Sequence, residues 1–239
     1  MAVAHGSRDP RSAATVSALL DRVRALRPDL DVRLAFLDLC PPRLDAVLAT
    51  VPRAVVVPLL LSCAFHARFD LPGEVSRAVV ARSGLEVVVA DVLGPDPRLE
   101  VAALRRLAEV GVSPDDPDFG VVLAAAGSQQ AAANAIVATV ATSWTRRTRW
   151  QVVPAFACAA RPTVPDAIAT LQAAGARRIA LASWFLAPGL LLDKVVRQAA
   201  STDSQALLAD PFGADPAVAE LIAARYEAAA ARTIATRSA

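Results

Sequence analysis

The sequence has little of what many binding and catalytic sites are built from. Its 239 residues include two histidines, three cysteines and 5% aromatic residues. The cysteines form no CxxC pair and no zinc-ligand spacing, and their odd number argues against a disulfide framework. Basic residues form no block and are not interleaved with aromatic side chains, so we expect no nucleic-acid partner.

A long apolar run is also absent. The longest one, 54–65, is interrupted by Pro58 and Ser62 and is shorter than the roughly 20 residues that a membrane-spanning helix needs. No basic and apolar leader opens the sequence. We therefore expect a cytoplasmic protein that does not associate with a membrane.

Apolar residues are abundant, at 55% of the chain, and they follow two alternating patterns. Short runs rich in Val and Leu are typical of parallel strands that are buried on both faces. Longer segments between them favour helices. We predict strands over 1–4, 32–37, 54–60 and 85–90, and helices over 10–26, 43–50, 71–83 and 97–109. This order predicts a parallel sheet with helices on both faces.

The same order of elements returns after an acidic, proline-broken linker at 113–118. We predict strands over 120–125, 150–156, 178–185 and 206–209, and helices over 129–143, 164–174, 190–200 and 216–232. Short identities also recur at near-constant offsets: 6–7 with 127–128 (127 − 6 = 121), 35–36 with 155–156 (155 − 35 = 120), and 90–97 with 209–216 (209 − 90 = 119). The sequence therefore predicts a duplicated α/β unit, with domains at 1–113 and 119–239.

Chemically versatile residues stand at the ends of the first three predicted strands. His5 ends the first strand, Asp38 ends the second, and His66 follows the third. In open parallel sheets, ligands bind outside the carboxyl ends of the strands. In the second half, the aligned residues lack these groups: Ala126, Cys158 and Leu191. Because a group that the fold itself needs should persist in both copies, this loss indicates a site in the first half.

Each of these residues also has a simpler interpretation. A histidine at a strand end is commonly a hydrogen-bonded rim residue. Asp38 could cap the helix that begins near Arg43, and Gly6-Ser7 could be a turn and a helix cap. Position, residue type and absence from the second copy together favour a site.

Two neutral imidazoles and one carboxylate suit a borderline divalent ion and leave coordination positions open. Fe²⁺, Co²⁺ and Ni²⁺ all fit this description. Histidine, with an ordinary pKa near 6.5, can also accept a proton at neutral pH. An open metal site beside a proton acceptor favours a reaction in which the metal is handed over.

At these residues the sequence resembles the class II chelatases, the sirohydrochlorin cobaltochelatase and ferrochelatase family. The matching segments are HGSRDPR at 5–11, AFLDL at 35–39, the strand and histidine at 58–66 with Arg68 beyond them, and FLAPG at 185–189. The resemblance covers nearly the whole chain. It implies two tandem flavodoxin-like (chelatase-like) domains, each with a parallel sheet of about four strands flanked by helices, the second being a degenerate repeat.

The resemblance also implies an activity: insertion of Fe²⁺ or Co²⁺ into sirohydrochlorin, in siroheme or cobalamin synthesis. The metal is then a substrate, and no organic cofactor is expected. His5 and His66 carry over as metal-binding and catalytic residues, and Asp38 stands where the family usually has glutamate. The family's cleft lies between the two halves.

Sirohydrochlorin carries eight carboxylates, so guanidinium groups are expected around it. The candidates near the motifs are Arg8, Arg11, Arg43 and Arg68. Two alternatives differ in class: a metal or tetrapyrrole carrier without turnover, and a histidine phosphatase, which the Ala4-His5-Gly6 context disfavours. The residues do not choose among Fe²⁺, Co²⁺ and Ni²⁺. Because duplication can replace a homodimer, a monomer is expected.

Overall fold

The elements alternate between strand and helix along the whole chain. The computed structural model describes residues 1–62 and 71–237. In chain order the elements are β1 (Ala2–Ala4), α1 (Pro10–Leu26), β2 (Leu34–Phe36), α2 (Leu44–Leu48), β3 (Arg53–Pro58), α3 (Leu71–Ala81), β4 (Glu86–Val89), α4 (Pro97–Glu109), β5 (Phe119–Ala125), α5 (Ala131–Arg147), β6 (Gln151–Phe156), α6 (Val164–Ala173), β7 (Arg178–Trp184), α7 (Leu190–Ala200), β8 (Leu207–Leu208) and α8 (Pro216–Arg237).

The strands form two four-stranded sheets, in the orders β2-β1-β3-β4 and β6-β5-β7-β8. All pairings are parallel. In the first sheet Ala4 of β1 lies opposite Phe36 of β2, and Val3 lies opposite Pro58 of β3. The predicted fold class, parallel sheets of about four strands flanked by helices, is confirmed.

One compact unit consists of Met1–Arg98 together with Ala214–Ala239. Helices α2 and α3 bury Leu44, Leu48, Leu71 and Val75 against strand residues such as Val56. Helices α1 and α8 pack together, and α8 also packs on β3 and β4. Since neighbouring strand residues point to opposite faces, the sheet is covered on both sides.

The other compact unit is Leu99–Gly213. Helices α6 and α7 pack through Ile168, Leu171 and Val195 against the strands. The indole of Trp144 in α5 donates a hydrogen bond to Glu100 Oε2 of α4 at 3.0 Å. Helix α4 is therefore tied to α5 within this unit.

The compact units divide the chain differently from the predicted domains 1–113 and 119–239. The reason is packing: α8, which ends the second repeat, belongs to the unit of the first sheet, while most of α4 belongs to the unit of the second. The repeat boundary follows sequence similarity, whereas the unit boundary follows contacts. The repeat boundary stays a prediction.

The two exchanged helices make the same bond in both units. Arg106 of α4 donates through Nη2 to the carbonyl of Phe212, and Arg225 of α8 donates through Nη2 to the carbonyl of Leu93, each at 2.9 Å. The donors are 119 residues apart (225 − 106), as are the acceptors (212 − 93). The duplication predicted from short identities thus extends to side-chain contacts.

We expect Arg225→Met to destabilise the unit of the first sheet. The guanidinium bonds the carbonyls of Val92 and Leu93 at 2.9 Å and lies 3.4 Å from Asp96, and its side chain is 22% exposed. Hydrogen bonds to a charged group contribute about 1.5–3 kcal/mol. The free energy of unfolding in urea should fall by about 2 kcal/mol.

Arg232→Met on the same helix is the matched control. Its guanidinium lies 3.4 Å from Asp91, and both side chains are at least half exposed. Exposed ion pairs contribute about 0–1 kcal/mol. Equal losses in the two variants would show that the Arg225 bonds do not stabilise the helix.

Several helix bounds agree with the sequence to the residue. Helices α1, α4 and α7 begin and end as predicted, whereas α8 extends five residues past the predicted end at Arg232. Four alanines at 228–231 favour the helix up to the predicted end, and no glycine or proline follows at 233–237 to stop it. Among the helices of the described residues, none is long and apolar enough to cross a membrane.

Candidate functional site

The strand order places a topological switch point at β1. This strand lies between β2 and β3 in the first sheet, and ligands of such sheets bind beyond the carboxyl ends of the strands at that point. His5 directly follows β1 and so stands at this position. Two other predicted site residues, His66 and Arg68, lie outside the described residues.

His5 and Asp38 are brought together by backbone pairing that continues past the strands. The Leu37 N–H donates to the Ala4 carbonyl at 3.0 Å, and the Asp38 N–H donates to the His5 carbonyl at 2.9 Å. His5 is half-buried, and its Nδ1 atom is buried. The two predicted catalytic residues that the structure describes are therefore neighbours at one edge of the sheet.

Gly6 makes this close approach possible. Its φ is +98°, and a Cβ at this position would lie 1.9 Å from the Asp38 carbonyl oxygen. No side chain fits at that distance, and a positive φ is itself costly for residues other than glycine. Any substitution of Gly6 must therefore push the His5 turn away from the Asp38 loop.

The second unit repeats this backbone without the functional groups. Gly127 has φ +85°, and its Cβ would lie 2.0 Å from the Cys158 carbonyl oxygen. The Cys158 N–H donates to the Ala126 carbonyl at 3.0 Å, as Asp38 does to His5. The alignment of His5 with Ala126 and of Asp38 with Cys158 is thus correct in three dimensions. The Cys158 thiol also donates to the Ala126 carbonyl at 3.2 Å.

The Asp38 carboxylate is held in its ionised form. Its pKa is lowered from the ordinary value of 3.8, first by the Leu39 N–H that it accepts, then by the Arg43 guanidinium, with a smaller effect of His5. Arg43 Nη1 lies 2.8 Å from Asp38 Oδ1. Asp38 therefore presents a negative charge beside His5 at neutral pH.

The alternative that Asp38 caps the following helix is wrong. The N-cap residue of α2 is Arg43, and no side chain makes the cap hydrogen bond. In the second unit the equivalent helix α6 has a complete capping box formed by Thr163 and Asp166. The Asp38–Arg43 ion pair was not predicted from the sequence, although the change from Thr163 to Arg43 at aligned positions (163 − 43 = 120) was a signal for it.

The turn after His5 is fixed by Asp9. Its Oδ1 accepts the Arg11 N–H at 3.0 Å and caps α1, as expected for Asp9 followed by Pro10. The Arg11 guanidinium donates to both carboxylate oxygens and lowers the pKa of Asp9. The Asp9 N–H donates to Ser7 Oγ at 3.0 Å. Among the candidate arginines, Arg8 is exposed on this turn, while Arg11 and Arg43 each engage a carboxylate.

A metal site is not complete within residues 1–62 and 71–237. No group of three or more His, Cys, Asp or Glu side chains is arranged there to hold an ion. His5 and Asp38 supply one imidazole and one carboxylate, which suit a divalent transition metal as partial ligands. An imidazole can accept a proton near neutral pH, and both groups are of the kinds that ligate divalent transition metals.

Comparison with known families and structures covers both halves of the chain. A model of the CbiX family matches residues 1–110 and again residues 120–229. The two matches lie on either side of the predicted linker at 113–118. Each half therefore carries the same family pattern, in agreement with the duplication.

Relatives and solved structures agree with this match. The sirohydrochlorin ferrochelatase of Priestia megaterium is 25% identical over 232 residues, 92% of this chain and 86% of that protein. The structure of SirB from Bacillus subtilis with Fe³⁺ has a TM-score of 0.79 at 23% identity and covers 98% of this chain and 96% of its own. Sirohydrochlorin chelatase SirB from Bacillus subtilis subspecies spizizenii, in complex with cobalt, has a TM-score of 0.71 at 19% identity, over 95% of this chain and 92% of its own.

These likenesses extend over nearly the full length of the chain and of the proteins it matches. The resemblance of the sequence to the class II chelatases is confirmed. The chain belongs to the CbiX family.

Proposed function

We propose that this protein is a sirohydrochlorin chelatase that inserts Fe²⁺ or Co²⁺ into the tetrapyrrole. His5 and His66 bind the ion, and Asp38 acts beside them. The observation that carries the proposal is the one-sided placement of His5 and Asp38 at the switch point of the first sheet, in a chain of the CbiX family. The named relatives act on sirohydrochlorin, and the two SirB structures contain iron and cobalt.

Metal insertion has a definite proton balance. The ion replaces two pyrrolic N–H protons, so two protons leave for each ion that enters the macrocycle. One of the two histidines accepts the first proton as the nitrogen lone pairs turn toward the ion, releases it to water and then accepts the second, so that both protons reach the solvent. Asp38, ionised beside His5, balances the added positive charge or passes the proton on.

The carboxylates of the tetrapyrrole require cationic partners. Arg8 suits this role because it is exposed on the turn that follows His5. Arg11 is a second candidate, since its guanidinium is about half exposed while it holds Asp9. Arg68 belongs to the predicted set as well, whereas Arg43 is already paired with Asp38.

The chemistry of the site accepts more than one ion. Imidazole and carboxylate ligands bind Fe²⁺, Co²⁺ and Ni²⁺, and affinity order alone does not set selectivity in cells. Whether the product serves siroheme or cobalamin synthesis follows from the ion used. The monomeric state and the cytoplasmic location stay predictions.

We expect Asp38→Asn to slow insertion by about 10–100-fold, because the amide keeps the shape of the side chain but removes its charge. Asp38→Glu should retain most of the activity, since it keeps the carboxylate. Rates are read from the absorbance change of sirohydrochlorin at equal protein concentration. An Asp38→Asn variant as fast as the wild type would contradict a catalytic role for Asp38.

The same variant has a defined pH signature. Since the pKa of Asp38 is lowered from 3.8, the carboxylate is fully ionised above about pH 5, and its protonation affects the rate only below that. Any limb of the wild-type pH–rate profile between about pH 5 and 8 should therefore come from a group other than Asp38. Because Asp38→Asn removes the negative charge beside His5, it should move a histidine limb to lower pH, and a limb that stays at the same pH would contradict an ionised Asp38 beside His5.

The proposal is tested by counting turnovers. A catalytic amount of the protein is mixed without oxygen with excess sirohydrochlorin and Fe²⁺, Co²⁺ or Ni²⁺ in separate reactions. We expect many equivalents of metallated product with Fe²⁺ or Co²⁺, well above the rate without protein. Conversion that stops at one equivalent would instead indicate a metal or tetrapyrrole carrier.

A further inference from the structure

Arg43 forms an exposed ion pair with Asp38 whose presence is not explained by stability. Its guanidinium lies 2.8 Å from Asp38 Oδ1, and the two side chains are 47% and 61% exposed. Exposed pairs of this kind contribute little to stability. A pair that the fold alone required should also occur in the second copy of the duplicated unit.

The backbone around Arg43 is the same in both copies. The Phe36 N–H donates to the Pro42 carbonyl at 2.8 Å, and the Phe156 N–H donates to the Pro162 carbonyl at 3.0 Å. Both loops also contain a residue with positive φ, Leu39 at 67° and Ala159 at 60°. The position of Arg43 is therefore structurally equivalent to that of Thr163, and the two side chains can be compared directly.

The side chains at this position have different tasks. Thr163 caps α6: its hydroxyl accepts the Asp166 N–H, and the Asp166 carboxylate accepts the Thr163 N–H at 3.0 Å. In the first copy, Arg43 makes no cap hydrogen bond, and Ala46 stands where the second copy has Asp166. Threonine is a good N-cap and arginine is a poor one, so helix formation does not explain Arg43.

Arg43 and Asp38 occur together and are lost together. The second copy has Cys158 in place of the acid and Thr163 in place of the base. The charged pair thus accompanies His5, which the second copy also lacks. Its members lie at the edge where the ion is proposed to bind.

We infer that Arg43 is a positioning residue for Asp38, holding the carboxylate beside His5 during metal insertion. The carboxylate accepts hydrogen bonds from two donors, the Leu39 N–H and the Arg43 guanidinium. One backbone donor and one side-chain donor together restrict the rotation of a short, exposed side chain. Arg43 is then occupied by Asp38 and is not a contact for the tetrapyrrole carboxylates. The inference rests on the proposed chelatase function.

A double-mutant cycle tests the inference. Arg43→Met, Asp38→Asn and the double variant are assayed with Co²⁺ and sirohydrochlorin. We expect Arg43→Met to lower kcat by about tenfold with the KM for sirohydrochlorin unchanged within about twofold. Added to Asp38→Asn, it should have no further effect. Arg43→Lys should recover part of the rate, because it restores one charged donor.

A stability measurement separates positioning from folding. Arg43→Ser places a good N-cap residue at the start of α2, so its melting temperature should equal or exceed that of the wild type while kcat falls as in Arg43→Met. Arg161→Met is the matched control, since Arg161 pairs with Asp166 at 2.9 Å in the equivalent loop of the second copy. It should leave kcat unchanged.

Three results would overturn the inference. If Arg43→Met raises KM equally with and without the Asp38→Asn change, Arg43 is a tetrapyrrole contact. A lowered melting temperature in Arg43→Ser would make it a fold-stabilising residue. If Asp38→Asn insertion is as fast as wild type, Asp38 itself has no role and Arg43 positions nothing, although the chelatase activity stands. Absence of turnover in the wild type would instead refute the proposed function.

Discussion

Replacing His5 with alanine is expected to slow metal insertion by about 10²–10⁴-fold, the range typical of a lost acid–base group. The imidazole stands at the switch point of the first sheet, next to the ionised Asp38. Without it, the edge loses both a nitrogen ligand and a proton acceptor. The loss is measured as the initial rate of the sirohydrochlorin absorbance change with Co²⁺.

The duplicated unit supplies an internal control for this variant. Ala126 occupies the position equivalent to His5, on the same backbone and with the same hydrogen bond from the facing loop. Alanine is therefore compatible with the fold at this place, and the thermal unfolding curve of His5→Ala should match that of the wild type. A fully active variant would contradict the role given to His5, and an unfolded variant would contradict the equivalence of this position with Ala126.

Gly6→Ala is expected to remove both stability and activity. The new Cβ would lie 1.9 Å from the Asp38 carbonyl oxygen, at a residue with φ +98°. Backbone strain of this kind costs about 1–3 kcal/mol, and the displaced loop adds to it. We expect the free energy of unfolding in urea to fall by roughly 2–4 kcal/mol. The rate per folded molecule should also fall, since His5 and Asp38 are moved apart.

Gly127→Ala makes the same change in the second unit. Its Cβ would lie 2.0 Å from the Cys158 carbonyl oxygen, with φ +85°. We expect a similar loss of stability, with insertion per folded molecule retained because no proposed catalytic group lies there. If the two variants lose activity equally at equal folded fractions, the assignment of the chemistry to the first unit is wrong.

The sheet and most of the helices could be predicted from the sequence because local signals were strong. Asp9 and Pro10 mark the start of α1, and continuous apolar runs such as 54–60 indicate parallel strands that are buried on both faces. Duplication added a check that a single domain lacks, since His5 could be compared with Ala126. That His5 and Asp38 share one edge of the sheet was predicted from their places at the ends of parallel strands.

Other features depend on contacts that local sequence does not encode. Nothing in the residues of α8 indicates that it packs on α1 and the first sheet, because an apolar helix face fits either of two similar sheets. The bond from Arg225 to Leu93 becomes visible only with that packing. Arg43 was predicted to meet the substrate, and its pairing with Asp38 depends on the shape of the loop between them.

The central claim is that the ion binds at the edge of the first sheet and not at the equivalent edge of the second. Crystals of the protein soaked in Co²⁺ test it most directly, through the anomalous signal of the metal. The account predicts a peak about 2.1 Å from a ring nitrogen of His5, a normal distance for imidazole ligation, and its loss in His5→Ala. A peak at Ala126 and Cys158, or one that persists unchanged in His5→Ala, would contradict it.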